Sequence, residues 1–231
     1  MTSSRTAKPT SPWHKDKREQ ERENKRDAVL RTAARLFAER GYHATSLDAV
    51  ADELHITRPT LYYYLKSKDE ILFECVRIGL QLIEEAASEV TTRGGSATEQ
   101  LIAVMRKYAE IITMEFGMCL VRVGEDPLPQ TSRLKLRKLK ASIDLKIRTL
   151  IAQGVEEGVF APCNPKLAAF AAAGALNSIA RWYRPAGPLG PDEVIDMFVD
   201  TLMNGLLARP AGSRPKPKRT TARRPRLVRP A

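Results

Sequence analysis

The chain has 231 residues, a formal net charge of +11 and three cysteines, Cys75, Cys119 and Cys163. Its length suffices for a sizeable hydrophobic core, and no stretch approaches the roughly 18 uninterrupted apolar residues of a membrane-spanning helix. Because the cysteines form no C-x-x-C pair and the three histidines have no i, i+4 spacing, the sequence argues against a disulfide framework, a metal site or a cofactor, and it favours a cytoplasmic protein.

The positive charge is concentrated at the two ends of the chain. Residues 1–25 contain seven Lys and Arg against four acids, and residues 209–231 contain nine Lys and Arg, five prolines and no acid, so residues 26–208 are close to neutral. We therefore expect a basic, largely disordered arm at 1–25 and a basic disordered tail at 209–231. Both segments suit a polyanion, although the tail could equally be a solubilising segment that touches nothing.

The first predicted helix has two parts. Its C-terminal part ends at Gly41 and carries an apolar stripe of Val29, Ala33, Leu36 and Phe37. Before this stripe, the run K-D-K-R-E-Q-E-R-E-N-K-R-D mixes charges of both signs at helical spacing. This pattern favours a solvated helix extension over a dedicated contact, although three of its bases could approach phosphate: Lys17, Arg18 and Lys25.

Two short helices separated by a tight turn are predicted next. Thr45 and Asp48 form a capping box that starts the first of them near Ser46. Thr57 is an N-cap and Pro59 is tolerated in a first turn, so a second helix begins there. The inward faces of the two helices are predicted to comprise Leu47, Val50, Ala51, Leu54, Leu61 and Leu65, with Arg58, Thr60, Tyr62 and Tyr64 facing outward and Tyr63 the tyrosine with most chance of burial. This is a helix-turn-helix, whose second helix enters the DNA major groove.

The segment A-T-S-L-D-A-V-A-D-E-L-H-I-T-R-P-T-L-Y-Y-Y-L-K-S-K-D-E-I-L, residues 44–72, resembles the DNA-binding signature of the TetR family of bacterial transcriptional regulators. It departs from that signature at His55, where a turn glycine is usual, and at Leu65, where an aromatic is common. Histidine tolerates positive φ better than most residues, so the turn can still close. The resemblance implies that Arg58, Pro59 and Thr60 face base edges, that Tyr62 and Tyr64 touch the backbone or a thymine methyl, that Ser46 and Lys68 meet phosphate, and that Thr57 belongs to the same surface.

The rest of the chain also reads as helices, so the predicted fold is all-α. Capping boxes at Ser67–Glu70 and Ser96–Glu99 start two helices, the first running to Gly94 and the second continuing through Met118 to a break at residues 124–127. A basic amphipathic helix is predicted from about Thr131 to the glycines at 154 and 158, and an N-cap with an N1 proline, Asn164-Pro165, starts a helix ending near Trp182. The last helix begins after the loop 185–191.

The last two helices carry more apolar surface than one small bundle can bury. Pairing with the same two helices of a second copy would cover that surface as a four-helix interface, so we predict a homodimer. The residues expected at this interface are Phe170, Leu176, Val194, Phe198, Leu202 and Leu206. The predicted organisation is therefore a helix-turn-helix DNA-binding domain at 26–71 followed by a helical ligand-binding and dimerisation domain at 72–208.

The function predicted from these patterns is a transcriptional repressor released from a palindromic operator by a small apolar ligand. The segment W-Y-R-P-A-G-P-L-G-P-D-E, residues 182–193, resembles family members that respond to acyl-CoA thioesters, which makes these the candidate effector class. Side chains suited to lining such a pocket are Met105, Tyr108, Met114, Phe116, Met118 and Trp182, although ordinary core packing explains each of them too. No catalytic triad, P-loop or paired-carboxylate pattern supports an enzyme. The remaining alternative is an architectural DNA-binding protein without sequence preference, driven by the basic ends.

Overall fold

A computed structural model describes residues 12–184 and 186–207 of the chain, with side chains from residue 17 onward. These residues form nine α-helices and no strand, apart from one isolated antiparallel bridge between Phe160 and Leu207. The predicted all-α fold is confirmed. The helices are α1 (Pro12–Arg40), α2 (Leu47–Glu53), α3 (Arg58–Tyr64), α4 (Lys68–Arg93), α5 (Ala97–Ile112), α6 (Glu115–Arg122), α7 (Gln130–Glu156), α8 (Pro165–Trp182) and α9 (Pro191–Leu206). The predicted C-terminal tail and the first eleven residues lie outside the described part.

Helices α1 to α3 and the start of α4 form the N-terminal unit. Leu61 and Leu65, predicted on the inner face of the second short helix, are fully buried. His55 closes the turn between α2 and α3 with φ of 53°, as predicted from its tolerance of this region. The prediction of Thr45 as an N-cap is wrong: Ser46 caps α2, with its Oγ accepting from the Ala49 amide at 3.0 Å.

Thr45 is instead part of the core. Its hydroxyl is buried and donates to the carbonyl of Gly41 at 2.9 Å, with the Leu36 carbonyl at 3.2 Å. A buried hydroxyl needs a partner, and Gly41, the residue after α1, supplies a carbonyl group that has no intrahelical donor. Thr45 therefore ties the end of α1 to the start of α2.

The predicted helix through Met118 is two helices. α5 ends at Ile112, where Thr113 donates its hydroxyl to the Glu110 carbonyl at 2.7 Å, and α6 restarts at Glu115. Gly117 makes this sharp reversal possible, because a Cβ there would lie 2.0 Å from the Ile111 carbonyl oxygen. α6 consequently packs between α1, α4, α5 and α8.

The remaining boundaries agree with the caps in the sequence. Ser96 and Glu99 form a full capping box, and Asn164 caps α8 by accepting from two amides. At α4 only half of the predicted box is present: Ser67 accepts from the Glu70 amide, whereas the Glu70 carboxylate accepts from the Lys66 amide at 2.7 Å. α4 runs without interruption from the N-terminal unit into the body, so the two units share one helix.

Candidate DNA-binding surface and ligand cavity

Helix α3 presents three consecutive tyrosines on a short, well-capped turn. Thr57 caps the helix by accepting from the Thr60 amide, and the two hydroxyls lie 2.8 Å apart. Tyr63 was the tyrosine expected to be buried if any was, but it is 66% exposed and Tyr62 is 39% exposed, while Tyr64 is half-buried. Because Leu61 and Leu65 already fill the inner side of α3, the tyrosines are left on its surface.

Arg58, the residue predicted to read a base edge, is held by its neighbours. Its Nη1 lies 3.1 Å from the Asp48 carboxylate, and its Nη2 donates to the Tyr62 hydroxyl at 3.4 Å. The hydrogen bond with Tyr62, and after it the charge of Asp48, raise the pKa of this guanidinium above its ordinary value. Arg58 is therefore cationic and exposed, and its guanidinium is positioned by Asp48 of α2 and Tyr62 of α3.

The two predicted phosphate ligands differ in accessibility. Ser46 is exposed, although its oxygen is already engaged as the cap of α2. Lys68 is half-buried, with its ammonium 4.3 Å from the centroid of the Tyr42 ring, and desolvation lowers its pKa. Tyr42 in turn donates to the Asp69 carboxylate. This cluster makes Lys68 a bridge between the end of α1 and the start of α4. Its ammonium group is therefore less accessible to a phosphate than the sequence suggested.

The body contains a cavity of about 460 Å³ among α4, α5, α6, α7 and α8. Its apolar wall includes Leu80, Leu120 and Ile147, and between two of its polar lining residues the Tyr108 hydroxyl donates to the Asn177 side-chain oxygen at 3.0 Å. Burial raises the pKa of Tyr108, so the phenol stays neutral. The other lining residues are Val121, Lys140, Ala141, Ile143, Asp144, Ala169, Phe170, Ala173 and Arg181.

The cavity is apolar inside and charged at its rim. Lys140 pairs with Glu125 at 3.0 Å, Asp144 pairs with Arg148, and Arg181 is exposed. Such a distribution fits an elongated ligand with an apolar end and a polar, anionic end.

Of the six residues predicted to line a ligand pocket, Tyr108 alone lines this cavity. Met105 and Phe116 are buried in the core, and Trp182 stacks on Phe198 with ring centroids 6.1 Å apart. Met114 and Met118 line a different cavity of about 510 Å³, between α1, α6 and the segment after α8. The lining residues that sequence reasoning missed come from five helices, and no local pattern joins them.

The predicted dimer residues divide in a similar way. Leu176 and Val194 are 1% and 2% exposed within the single chain, so they pack in its own core and cannot meet a partner. Phe170 lies at the cavity, with the guanidinium of Arg148 5.4 Å from its ring centroid. Phe198, Leu202 and Leu206 are half-buried and remain partly accessible.

Two family models match this chain. Residues 29–75 match the model described as bacterial regulatory proteins of the tetR family, and residues 94–206 match the tetracyclin repressor-like C-terminal domain. Among solved structures, the TetR family transcriptional regulator PfmR from Thermus thermophilus is 32% identical, with a TM-score of 0.70, over 78% of this chain and 99% of that one. The chain belongs to the TetR family. It is accordingly a DNA-binding transcriptional regulator, and α2–α3 is its DNA-binding helix-turn-helix.

Two further relatives are matched over nearly their whole length. AibR, solved in complex with isovaleryl coenzyme A and operator DNA, is 26% identical with a TM-score of 0.69, over 77% of this chain and 97% of that one. The transcriptional repressor KstR2 of Mycolicibacterium smegmatis is 26% identical over 191 residues, which cover 79% of this chain and 91% of the relative.

The TetR match consists of an N-terminal model that includes α2–α3 and a C-terminal model that includes most of the cavity-lining residues. Its N-terminal model begins inside α1, so residues 12–28 of this helix precede the matched region. Within the described ranges, no helix is long and apolar enough to cross a membrane, and no group of three or more His, Cys, Asp or Glu could hold a metal ion.

Proposed function

We propose that this TetR regulator is a homodimeric repressor, and that it leaves a palindromic operator when an acyl-CoA thioester occupies the cavity of α4–α8. The observation that carries the proposal is the cavity itself, which has apolar walls, a hydroxyl–amide pair between Tyr108 and Asn177, and charged residues of both signs at its rim. The acyl chain fits the apolar interior, and the exposed Arg181 would meet the anionic end of the ligand at the rim, where Lys140 is paired with Glu125 and Asp144 with Arg148. The complex of AibR with isovaleryl coenzyme A and operator DNA supports this ligand class.

The dimer is supported by an uncovered face on α8 and α9. On α8 it follows a single helical stripe of residues three or four positions apart, and on α9 it continues along a second stripe. This α8–α9 face consists of Leu167, Ala171, Gly174, Ser178 and Trp182 of α8 with Phe198, Thr201, Leu202 and Gly205 of α9. Leu167 is 64% and Trp182 47% exposed, and none of these nine residues is charged. Small residues at the centre of the α8 stripe, and Gly205 at the end of the α9 stripe, let two helices approach closely, as a four-helix interface requires.

The cavity is joined to the DNA-binding unit through α6. Leu120 and Val121 of this helix line the cavity, while its Phe116 receives the guanidinium of Arg31 at 5.2 Å from the ring centroid. α6 also lies against the backbone of α4, because Gly79 leaves no Cβ between them: one there would be 2.9 Å from the Phe116 carbonyl oxygen. A ligand that displaces α6 therefore displaces α1 or α4, which carry the recognition helix.

The spacing of two recognition helices is the quantity that must change. In a dimer, the helices enter major grooves one helical turn apart, so a shift of a few ångströms misfits one half-site. The effector then lowers operator affinity only as far as it prefers the misfitting state, and operator DNA must weaken effector binding by the same factor.

The deciding experiment measures binding to an operator selected from a random-sequence duplex pool, by fluorescence anisotropy, with a panel of acyl-CoA esters from isovaleryl-CoA to long chains. We expect at least one ester to weaken operator binding in the wild type. Ala173→Phe, which fills the cavity, should keep operator affinity and lose this response, whereas Ala28→Phe, an equal change at an exposed site on α1, should keep both.

Three outcomes separate the parts of the proposal. If no ester alters operator binding, this ligand class is excluded. If Ala173→Phe responds as the wild type does, the effector binds elsewhere. If no duplex is preferred over random DNA at any salt concentration, the protein is the architectural binder that the sequence left as the alternative.

A further inference from the structure

The first half of α1 lies beside the recognition helix. α1 extends back to Pro12, beyond the start of the TetR match at residue 29. Its extension and α3 enclose a cleft of about 370 Å³, lined by Arg18, Glu19, Glu21, Arg22, Lys25, Tyr63 and Tyr64. The cleft is therefore continuous with the surface of α3 that reads DNA.

The bases of the cleft form one stripe. Arg18, Arg22 and Lys25 stand at positions i, i+4 and i+7 of a helix, which places them on one face. All three are exposed, and none has an acidic partner within 4 Å among the described residues. By contrast Arg26, on an adjacent face, is bound to Glu74 at 3.0 Å and fixes α1 against α4.

Two acids also line the cleft, and their positions matter. On a helical wheel at about 100° per residue, Glu19 and Glu21 fall on opposite sides of the basic stripe. They flank it without interrupting it. The central line of the α1 face towards α3 is therefore cationic.

Tyr63 completes the cleft from the side of α3. It is 66% exposed although it lies between two buried leucines in sequence, so packing within the chain does not require an aromatic there. The Arg22 guanidinium lies 5.5 Å from its ring centroid, and the Tyr64 ring meets it edge-on at 5.1 Å. These contacts hold the ring in place. Its hydroxyl has no partner among the groups that line the cleft, so it can donate to an anion that enters the cleft.

We propose that Arg18, Arg22, Lys25 and Tyr63 form a second DNA contact, which binds the sugar–phosphate backbone beside the groove entered by α3. The proposal rests on the DNA-binding function of α2–α3 and adds three bases of α1 that precede the family match. From Arg18 to Lys25 the helix rises about 10 Å, enough to meet about three successive phosphates of one strand. Since these groups contact phosphate and not base edges, the contact contributes affinity and salt dependence without sequence preference.

The test compares salt dependence in two triple variants of the full chain. Arg18→Gln/Arg22→Gln/Lys25→Gln should make the slope of log K against log salt shallower by about 0.9 for each phosphate that is no longer neutralised. The control, Arg93→Gln/Lys107→Gln/Lys166→Gln, removes the same charge from exposed sites on α4, α5 and α8 and should leave the slope close to that of the wild type. The ratio of operator to random-duplex affinity should be unchanged in both.

A second variant tests the tyrosine and guards against a folding artefact. Tyr63→Phe keeps the ring and its stacking with Arg22 but removes the hydroxyl, so it should weaken operator and random DNA by the same factor. Equal slopes for the two triple variants would show that α1 is only a solvated extension, and a Tyr63→Phe protein with wild-type affinity would remove the tyrosine hydroxyl from the contact. A wild type that prefers no duplex would instead refute the proposed function, which makes the two failures distinguishable.

Discussion

Gly174 gives the sharpest test of the dimer, because its substitution has opposite effects in one chain and in two. A Cβ at Gly174 of α8 or at Gly205 of α9 would meet nothing within 4 Å in the single chain. Replacing a helical glycine by leucine in open space should therefore stabilise an isolated chain by about 1 kcal/mol. In a dimer built on the α8–α9 face, the same leucine enters a packed interface.

The cost in the dimer follows from symmetry. Inserting side-chain volume into a packed region costs about 1–3 kcal/mol, and a two-fold interface contains Gly174 twice. Gly174→Leu should then weaken the dimer by about 2–6 kcal/mol in total, which raises its dissociation constant by roughly 30-fold to 20,000-fold. The small residue at this position is needed only if a partner covers it.

Light scattering and sedimentation over a dilution series measure the dissociation constant, and urea unfolding below that constant measures the monomer. We expect Gly174→Leu to shift the dimer towards monomer while raising the urea midpoint of the monomer. Ala28→Leu, at an exposed position of α1, is the matched control and should change neither association nor operator binding. A Gly174→Leu protein that dimerises as tightly as the wild type would refute the α8–α9 face as the interface.

Three further predictions concern the DNA-binding unit and the core. Asp48→Asn removes the carboxylate that holds Arg58 at 3.1 Å, so the dissociation constants for operator and random duplex should both fall several-fold in anisotropy titrations; unchanged affinity would mean that the pair does not compete with DNA. Gly154→Ala would place a Cβ 2.1 Å from the buried Phe160 ring. The cost of overpacking, about 1–3 kcal/mol, should exceed the gain in helix propensity of about 1 kcal/mol. Urea unfolding should therefore show a lower stability, which the second substitution Phe160→Leu should partly restore. Burial raises the pKa of Glu74, but hydrogen bonds from Arg77 and Arg26 outweigh burial and lower the pKa. This carboxylate therefore stabilises the fold at neutral pH and loses its effect as the pH falls through the lowered pKa. The difference in unfolding free energy between the wild type and Glu74→Gln should then close in acid, and a difference that persists there would contradict the assignment.

The helix boundaries were predictable because caps are local. Thr57, Ser67, Ser96 and Asn164 each accept from an amide two or three residues ahead, and that relation can be read directly from the sequence. Thr45 and Ser46 are adjacent and chemically equivalent as caps, so the choice between them depends on burial against α1. Packing of distant residues decided that position, and no local rule contains it.

The ligand cavity and the interface were less predictable for a different reason. α8 is apolar around most of its circumference, and such a helix does not reveal which stripe faces its own core. Leu176 faces the core, Phe170 the cavity and Gly174 the uncovered side, although all three lie within two turns. The methionines were candidates for the ligand pocket on residue type alone. Met105 instead lies in the core, and Met114 lies at the surface. Arg18 and Lys25 could be named as possible phosphate contacts from the sequence, but a solvated extension was favoured there, because the cleft that these bases form with Tyr63 joins segments far apart along the chain.

The way the DNA-binding unit is fastened limits how an effector can act on it. Leu61 and Leu65 are fully buried, the Thr45 hydroxyl joins α1 to α2, and Tyr42 joins the end of α1 to the start of α4 through Asp69. Detaching α3 alone would expose both leucines. The free energy of that exposure is larger than the coupling free energy between two sites, which is typically about 1–3 kcal/mol. The unit therefore moves as one body with the N-terminal turns of α4, to which Arg26 and Glu74 also fasten it. In the proposed effector response we therefore expect α4 to bend beyond Glu74, where Gly79 brings it against α6, the helix whose other residues line the cavity.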